Sequence, residues 1–377
     1  MSAVAATPVE DVPATKVEAP DSATGNTVDT GVSNDVKSAS TKATPIPSGE
    51  PEAKPAATTK DEKSSAPAPK TVTKLTSSES AKLAQLIAQI PKILKSLDNP
   101  EYDEVFGYRI NTADKEFVDE VIRNEILLKF LKADEFEVAT AAARLKNTLN
   151  WRNKFQPLSA AWDEKHNEGL TKLGVITEFP NGKPNLKVAT FNLYGNMQSL
   201  SKLFGEFGDK TSDKPGSQFL RWRIGLMERA VSLLDFTDVT NDKLAQIHDY
   251  TGVSIFRMEK KQKQNTKEII EIFGHNYPEL LSTKFFVGVP VFMSWVFSFL
   301  KTVGIINKET LKKFNVISGT NLAAEDAFPE LPKKYGGKLD KDVYALDSKN
   351  TKIPQYGLEL IKKLGSAKMQ EALDDVE

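Results

Sequence analysis

Two side chains that can act as ligands, His248 and Tyr250, lie two residues apart. The surrounding segment, 246–256, carries the β-branched and aromatic residues of a strand, and residues two apart on a strand project from the same face. Imidazole and phenol would therefore point into one space, with Asp249 turned the other way. Either both are hydrogen-bonded inside a core, or they belong to a metal centre, because tyrosine is a known axial ligand of ferric haem.

A tyrosine that binds iron must lose its proton. A free phenol titrates near pH ~10, so such a site needs positive charge close by. Arg223 is one candidate, because it interrupts an apolar stripe with 3–4 spacing in the predicted helix 218–236. A guanidinium there is costly unless an anion meets it. That anion is either a protein carboxylate, in a buried salt bridge, or a phenolate or an anionic ligand group.

Lys284 is a second candidate cation and stands immediately before the most apolar stretch of the chain, residues 285–300. It either holds an anion at the mouth of a pocket or extends its amine to solvent. The stretch has 16 uncharged residues, fewer than the ~20 that a membrane-spanning helix needs, and Pro290 interrupts it. It is either a core strand followed by a buried helix or an apolar element that meets a membrane or covers a ligand.

Charge and composition exclude several classes of function. The chain has 50 Lys and Arg against 51 Asp and Glu, so it lacks the basic field that nucleic-acid binding requires. It has no cysteine, which excludes disulfides, thiolate metal sites and cysteine nucleophiles and favours a cytosolic or cytosol-facing protein. The sequence also lacks the motifs of phosphate-binding loops, serine nucleophile elbows and zinc helices, and we expect no catalytic residues and no enzymatic activity.

The elements that must position these residues fall into four ranges. Residues 1–80 contain no aromatic residue and nine of the 20 prolines, so we expect a disordered arm. In 81–160, apolar residues at helical spacing predict a small helical domain whose first helix stops at Pro91. In 161–345, strand-like segments alternate with helical ones, which predicts an α/β layer with a largely parallel sheet. Residues 346–377 are expected to form a helical tail.

Several short motifs follow one another along the chain in a recognisable order. They are ILLKFLKADEFEV at 126–138, LNWR at 149–152, HDYTG at 248–252, YPELL at 277–281 and LPKKYGG at 331–337. Together with the apolar stretch 285–300 they resemble the CRAL-TRIO lipid-transfer family, the Sec-fourteen-like proteins, over nearly all of residues 81–345. WRIGLME at 222–228 and LLDFT at 233–237 are most similar to a fungal, haem-binding branch of that family.

The resemblance implies a helical N-terminal domain and an α/β lobe that encloses one phospholipid between a mostly parallel sheet and a mobile apolar gate helix around 292–300. Exposing some thirty acyl methylenes, at ~0.8 kcal/mol each, would cost on the order of 25 kcal/mol in water, so a carrier must hide them. The implied function is transfer of phosphatidylinositol between cytosol-facing membranes, with transient peripheral contact at the endoplasmic reticulum or microsomal membrane.

For the lipid head group, the family's positions match Glu279, Thr310 and Lys313. Where the family usually carries two basic residues, this chain has Asp134 and Glu135. Two acids would repel an inositol phosphate. Either Lys313 and Thr310 alone hold the head group, or phosphatidylinositol is bound more weakly than in the parent type.

The resemblance also implies ferric haem b in the same lobe. Tyr250 would be the iron ligand, with His248 beside it at the metal, and Arg223 and Lys284 would surround the anionic groups. These are the same positions that the residue types suggest. The alternative function is a haem-based sensor of oxidant stress or haem level with little lipid-transfer activity.

Overall fold

The computed structural model describes residues 68–197, 199–210, 214–253, 260–289 and 311–374. These described residues belong to one compact unit. Two sequence predictions, the gate helix at 292–300 and the arm over residues 1–67, lie outside this part of the chain. Within the described ranges, no helix combines the length and the apolar character needed to cross a bilayer.

The first part of the described chain is mainly helical. Its elements are α1 (Ser77–Lys95), β1 (Glu104–Val105), β2 (Tyr108–Arg109), α2 (Glu120–Ala133), α3 (Val138–Phe155), α4 (Pro157–Trp162) and α5 (Glu168–Thr171). Helices α1, α2 and α3 pack against one another, and the apolar stripes predicted from the sequence supply the buried residues between them.

Helix α1 begins at Ser77, inside the segment 1–80 that composition assigned to the arm. Thr76 and Glu79 form a capping box, in which each side chain accepts a hydrogen bond from the other residue's backbone N–H. Just before this cap, two backbone N–H groups donate to the Glu125 carboxylate at 2.8 Å. Local capping and one buried carboxylate therefore give defined structure to the end of the predicted arm.

Helix α1 also runs past Pro91, where the prediction ended it, and continues to Lys95. A proline inside a helix removes one backbone hydrogen bond. Beyond it, Ile93 and Leu94 are each only 7% exposed, and the burial of these two side chains offsets that loss.

A five-stranded sheet forms the second part. Its strands lie in the order β3 (Gly174–Glu178), β4 (Val188–Asn192), β5 (Leu244–Asp249), β6 (Leu281–Val287) and β7 (Phe314–Ile317). Strand β3 is antiparallel to β4, and the other neighbouring pairs are parallel. The predicted α/β class and mostly parallel sheet are confirmed, although the prediction lacks the edge strand β3.

Four α-helices follow strand β4 in the described chain. They are α6 (Leu200–Phe207), α7 (Gln218–Val231), α8 (Lys260–Asn276) and the C-terminal α9 (Gln355–Asp374). One face of the sheet packs against the chain that follows β7, through an apolar cluster that includes Phe191, Ile247 and Phe285. On the other face, which helix α7 contacts through β3 and β4, His248 and Lys284 are among the side chains.

Arg152 joins two buried carboxylates and is itself 0% exposed. Its guanidinium lies 2.7 Å from Glu104 on β1 and 2.7 Å from Glu228 on α7. The hydroxyl of Tyr102 donates to Glu104 at 2.7 Å, and that of Tyr277 donates to Glu228 at 2.6 Å. We call these five residues the Arg152 network. It ties the helical part of the chain to the helix that lies over the sheet.

Replacing Arg152 by Met should lower the free energy of unfolding by about 3–5 kcal/mol, because two carboxylates would stay buried without their cation. Urea unfolding followed by circular dichroism measures this. The matched control is Lys82→Met, which removes an exposed pair with Glu137 at 3.7 Å and should cost less than about 1 kcal/mol. Equal losses in the two variants would contradict the structural role of the Arg152 network.

Candidate functional site

The carboxyl ends of β4, β5 and β6 lie side by side because these strands are parallel. Asn192, His248 and Phe286 are paired across them in register. Tyr250 follows the last residue of β5, and its backbone N–H still donates to the Val287 carbonyl oxygen at 2.8 Å. The strand pattern therefore extends to Tyr250 and leaves its side chain on the same side as that of His248.

Four rings meet at this edge of the sheet. The His248 ring centroid lies 5.3 Å from that of Tyr194, 5.7 Å from that of Phe286 and 6.3 Å from that of Tyr250. The Tyr250 ring lies 5.5 Å from that of Tyr194 and stacks at 6.5 Å on that of Phe286. We call these four residues the ring cluster. The structure thus brings together His248 and Tyr250, the two residues that the sequence nominated.

His248 is 7% exposed, and no described residue forms a hydrogen bond with its Nε2 atom. Burial lowers the pKa of His248 well below its usual value, and the positive charges of Lys284 and Arg223 lower this pKa further. The imidazole is therefore neutral near pH 7 and keeps a ring nitrogen available to a ligand. A histidine that only filled a core would have a partner at that atom.

Arg223 on helix α7 is 2% exposed, and its charge acts on the pKa values of His248 and Tyr250 in the ring cluster. Its guanidinium lies 4.8 Å from the Phe273 ring centroid, and its charge opposes the rise in the pKa of Tyr194 that burial causes. Among the described residues no carboxylate pairs with Arg223, and its Nη1 atom has no hydrogen-bond partner. The salt bridge that was one explanation for this buried guanidinium is not formed within the described chain.

Lys284 on β6 lies close to the same cluster. Its ammonium nitrogen is 5.5 Å from the Phe286 ring centroid and 5.7 Å from that of Phe314. Burial lowers the pKa of Lys284 to about 7, and the charge of Arg223 contributes to the shift. No described carboxylate pairs with it. Within the described chain, the buried guanidinium of Arg223 and the partly buried amine of Lys284 thus lie on one side of the sheet without a carboxylate partner.

Tyr250 keeps its proton in the protein alone. Burial raises the pKa of its phenol, the neighbouring Tyr194 raises this pKa further, and Arg223 opposes the shift. Within the described residues, no group of three or more histidine and carboxylate side chains is arranged to bind a metal ion. A metal centre here would depend on Tyr250 and His248 and on ligands that the metal brings with it.

Tyr194 is the member of the ring cluster that sequence reasoning missed. It lies two residues beyond the end of β4, as Tyr250 lies one residue beyond the end of β5. Because neighbouring parallel strands present their carboxyl ends at one edge, an aromatic residue directly after each strand was the available signal. The proximity of Tyr194 to Arg223 depends on tertiary packing, and no pattern in the sequence predicts it.

The predicted head-group residues lie at the opposite end of the strands. Glu279 precedes β6 and Lys313 precedes β7, and the Lys313 amine lies 3.3 Å from the Glu279 carboxylate. Lys243 approaches the same carboxylate at 3.8 Å, and Lys129 approaches the Glu279 carbonyl oxygen at 3.4 Å. We call these four residues the charged cluster. Thr310, the third predicted head-group residue, lies outside the described residues.

Asp134 and Glu135, which stand where the family usually carries two basic residues, have different surroundings in the structure. Asp134 accepts two hydrogen bonds from the Arg144 guanidinium, at 2.8 and 2.7 Å, and its side chain is 6% exposed. Glu135 is exposed to solvent. A paired Asp134 and a solvated Glu135 should repel a phosphate less than two unpaired acids would. Their effect on head-group binding stays a prediction.

Comparisons with known proteins give a consistent similarity. The CRAL/TRIO domain family matches residues 200–337. The chain is 55% identical over 307 residues to a Candida albicans protein named "Phosphatidylinositol transfer protein SFH5", covering 81% of this chain and 95% of that protein. It is 37% identical over 310 residues to a Saccharomyces cerevisiae protein of the same name, covering 80% and 98%.

A solved structure described as "Crystal structure of Sfh5" is similar to this chain with a TM-score of 0.70 and 36% sequence identity. The similarity covers 78% of this chain and 99% of that one. The likeness therefore extends over both the helical part and the sheet.

Replacing Lys284 by Met should stabilise the ligand-free protein most at and below pH 7. With a pKa of about 7 in the folded state and about 10.4 in the unfolded chain, Lys284 binds fewer protons in the folded state between these values. The wild-type free energy of unfolding therefore rises with pH across this window. The Met variant lacks that rise, so its advantage should shrink between about pH 7 and 10.

Urea unfolding at several pH values across this window measures the effect. Lys338→Met, at an exposed lysine, is the control and should show no such pH dependence. An advantage of the Lys284→Met variant that stays constant with pH would contradict the burial of this amine without a counterion.

Proposed function

Because the chain belongs to the CRAL-TRIO family, we propose that it carries phosphatidylinositol between cytosol-facing membranes and binds haem in the same lobe. The observation that best supports this proposal is the similarity to relatives named phosphatidylinositol transfer proteins, which covers 95% and 98% of those relatives. Transfer would involve brief peripheral contact with the endoplasmic reticulum or microsomal membrane. It makes and breaks no covalent bond, so the protein would not be an enzyme.

The charged cluster supports the lipid half of the proposal. One carboxylate, on Glu279, lies between the amines of Lys313 and Lys243. Amines attract the phosphate of an inositol lipid, and a carboxylate accepts hydrogen bonds from the hydroxyl groups of its ring. Thr310 would add a hydroxyl donor.

The sheet supplies an apolar surface for the acyl chains. Phe286 and Phe314 are in edge-to-face contact at 5.3 Å, and on the adjoining edge strand Val316 is 46% exposed. Each acyl methylene that leaves water for such a surface contributes about 0.8 kcal/mol. Long acyl chains would therefore be held mainly by the sheet, and the head group would be selected by the charged cluster.

Lys313→Met should lower the rate of phosphatidylinositol transfer roughly tenfold, because one charge-assisted contact to the head group is worth about 1.5 kcal/mol or more. The assay is transfer of fluorescent phosphatidylinositol between donor and acceptor vesicles. Lys349→Met is the matched control, since that lysine is 84% exposed, and it should transfer at the wild-type rate. If the wild-type protein transfers no phosphatidylinositol while a reference carrier is active in the same assay, the lipid-transfer part of the proposed function is wrong.

The electrostatics of the ring cluster support the haem half. Ferric haem with both propionates ionised carries one net negative charge, and a tyrosinate ligand adds another. Arg223 supplies one positive charge, and Lys284 supplies a second when it is protonated, a form that a bound anion would favour. No described carboxylate neutralises either group. The residues present therefore fit an anionic porphyrin that binds through a phenolate.

Each residue would have a distinct part in that site. Tyr250 would bind the iron through its phenol oxygen, and ferric iron would supply Lewis acidity that favours the phenolate, with the proton released to solvent. His248, neutral and with a free Nε2 atom, would accept a hydrogen bond beside the ligand. Arg223 and Lys284 would bind the carboxylates of the porphyrin. The second candidate function, a haem-based sensor of oxidant stress or haem level, uses the same residues and differs in having little transfer activity.

Haem-loaded wild-type protein should show a Soret band and a tyrosinate-to-iron charge-transfer band, and Tyr250→Phe should lose the second band and retain haem poorly. Absorption spectroscopy after removal of unbound haem measures both. Tyr344→Phe, at a tyrosine that is 43% exposed, is the control and should leave the spectrum unchanged. A colourless wild-type preparation, or an unchanged spectrum in Tyr250→Phe, would exclude the proposed ligand.

A further inference from the structure

Asp249 lies between His248 and Tyr250 in sequence and faces the opposite side of the sheet. Its side chain is 1% exposed. One carboxylate oxygen accepts hydrogen bonds from the Tyr335 hydroxyl and the Lys334 amine, both at 2.8 Å. The second oxygen accepts from the backbone N–H two residues later, also at 2.8 Å. All three bonds of this anchor are therefore made away from the ring cluster.

The partner that holds Asp249 is itself immobilised. Tyr335 is 0% exposed, and its ring lies 5.2 Å from that of Phe191 on β4. A tight turn positions its backbone, in which the Gly337 N–H donates to the Pro332 carbonyl oxygen at 3.1 Å. The Tyr335 hydroxyl therefore holds the end of β5 in a fixed position.

The residue after Tyr250 is held equally closely. A Cβ atom on Gly195 would lie 2.2 Å from the Thr251 carbonyl oxygen, and one on Gly288 would lie 2.5 Å from the Thr251 hydroxyl. Gly288 also has a positive φ of 69°, which favours glycine. Thr251 thus fits between two backbones that only glycine allows to approach it.

Tyr250 itself has little to fix it. Its ring has van der Waals contacts in the ring cluster, and among the described residues nothing hydrogen-bonds its hydroxyl. Since a tyrosine ring is placed by its backbone and two side-chain torsions, the position of this phenol depends on its anchored neighbours. A ligand atom must be held to within about 0.5 Å for a site to keep its geometry.

We propose that Asp249, held by Tyr335 and Lys334, is a positioning residue that fixes the Tyr250 phenol at the site. The consequence for haem rests on the proposed function, but the positioning itself does not. Asp249 would act through the backbone, since it touches neither the ring cluster nor anything bound there. A purely stabilising role for the same bonds is the alternative.

Tyr335→Phe removes the anchoring hydroxyl, and Tyr102→Phe is its matched control. Tyr102 is also buried and also donates to a buried carboxylate, that of Glu104, at 2.7 Å, but it lies in the helical part of the chain. Both variants lose one hydrogen bond to a charged group, so both should be destabilised to a similar extent. In Tyr102→Phe, Glu104 keeps both hydrogen bonds from Arg152, so the Arg152 network still holds α7. Only Tyr335→Phe should therefore affect Tyr250.

The first measurement is hydrogen–deuterium exchange in haem-free protein. The Tyr250 amide, which donates to the Val287 carbonyl oxygen, should exchange roughly tenfold faster in Tyr335→Phe than in the wild type. It should be unchanged in Tyr102→Phe. Asp249→Asn should restore slow exchange that Asp249→Ala loses, because an amide can still accept from the Thr251 N–H and donate to the Tyr335 oxygen.

The second measurement is the spectrum of haem-loaded protein. Tyr335→Phe should shift the charge-transfer band and release haem to apomyoglobin several times faster, while Tyr102→Phe should do neither. Equal exchange in the two phenylalanine variants would overturn the inference. If the wild type binds no haem, the haem half of the proposed function fails, and the exchange measurement alone decides whether Asp249 positions Tyr250.

Discussion

The Arg152 network is the constraint on which the rest of the structure depends. The Arg152 guanidinium is fully buried and binds Glu104 on β1 and Glu228 on helix α7. Burying these charges is tolerable only while every partner stays in place. Because Tyr277, next after α8, donates to the same Glu228, the network fixes the helices on both sides of Arg223. Arg223 lies little more than one turn before Glu228 on α7, so its position follows from this anchor.

Helix α7 carries three buried charges. Arg221 is paired with Glu164, and Glu228 has a cation and a hydroxyl donor. Within the described chain, Arg223 has no carboxylate partner and lies against the face of an aromatic ring. Lys284 on β6 is a second basic group without a described counterion. Uncompensated burial destabilises the ligand-free protein, so a ligand that brings the missing anion gains affinity by relieving that cost. An anionic ligand would therefore be favoured at this site by its charge, and the ligand-free protein would be the less stable for it.

Periodicity predicts those parts of the site that lie within one element. Strand alternation places His248 and Tyr250 on one face, and helical spacing identifies Arg223 as buried. Partners that come from other elements are not visible in a local pattern. Nothing near Tyr194 indicates that this residue lies close to Arg223 on α7, and α1 continues through Pro91 because its last turn is buried against other helices. A local pattern tells which way a side chain faces, and tertiary packing decides what it meets.

Strand β5 links the two ends of the lobe. Leu244 pairs with Leu281, just after the charged cluster, and Tyr250 lies six residues further along, about 20 Å at the rise of a strand. The hydrocarbon of one bilayer leaflet is about 15 Å deep. The tails of a lipid anchored by its head at Glu279 would thus extend over most of the distance to the ring cluster. The acyl chains and the porphyrin would then compete for the same volume without sharing a polar contact. The length of the acyl chains would decide whether a given lipid and the porphyrin can be bound together.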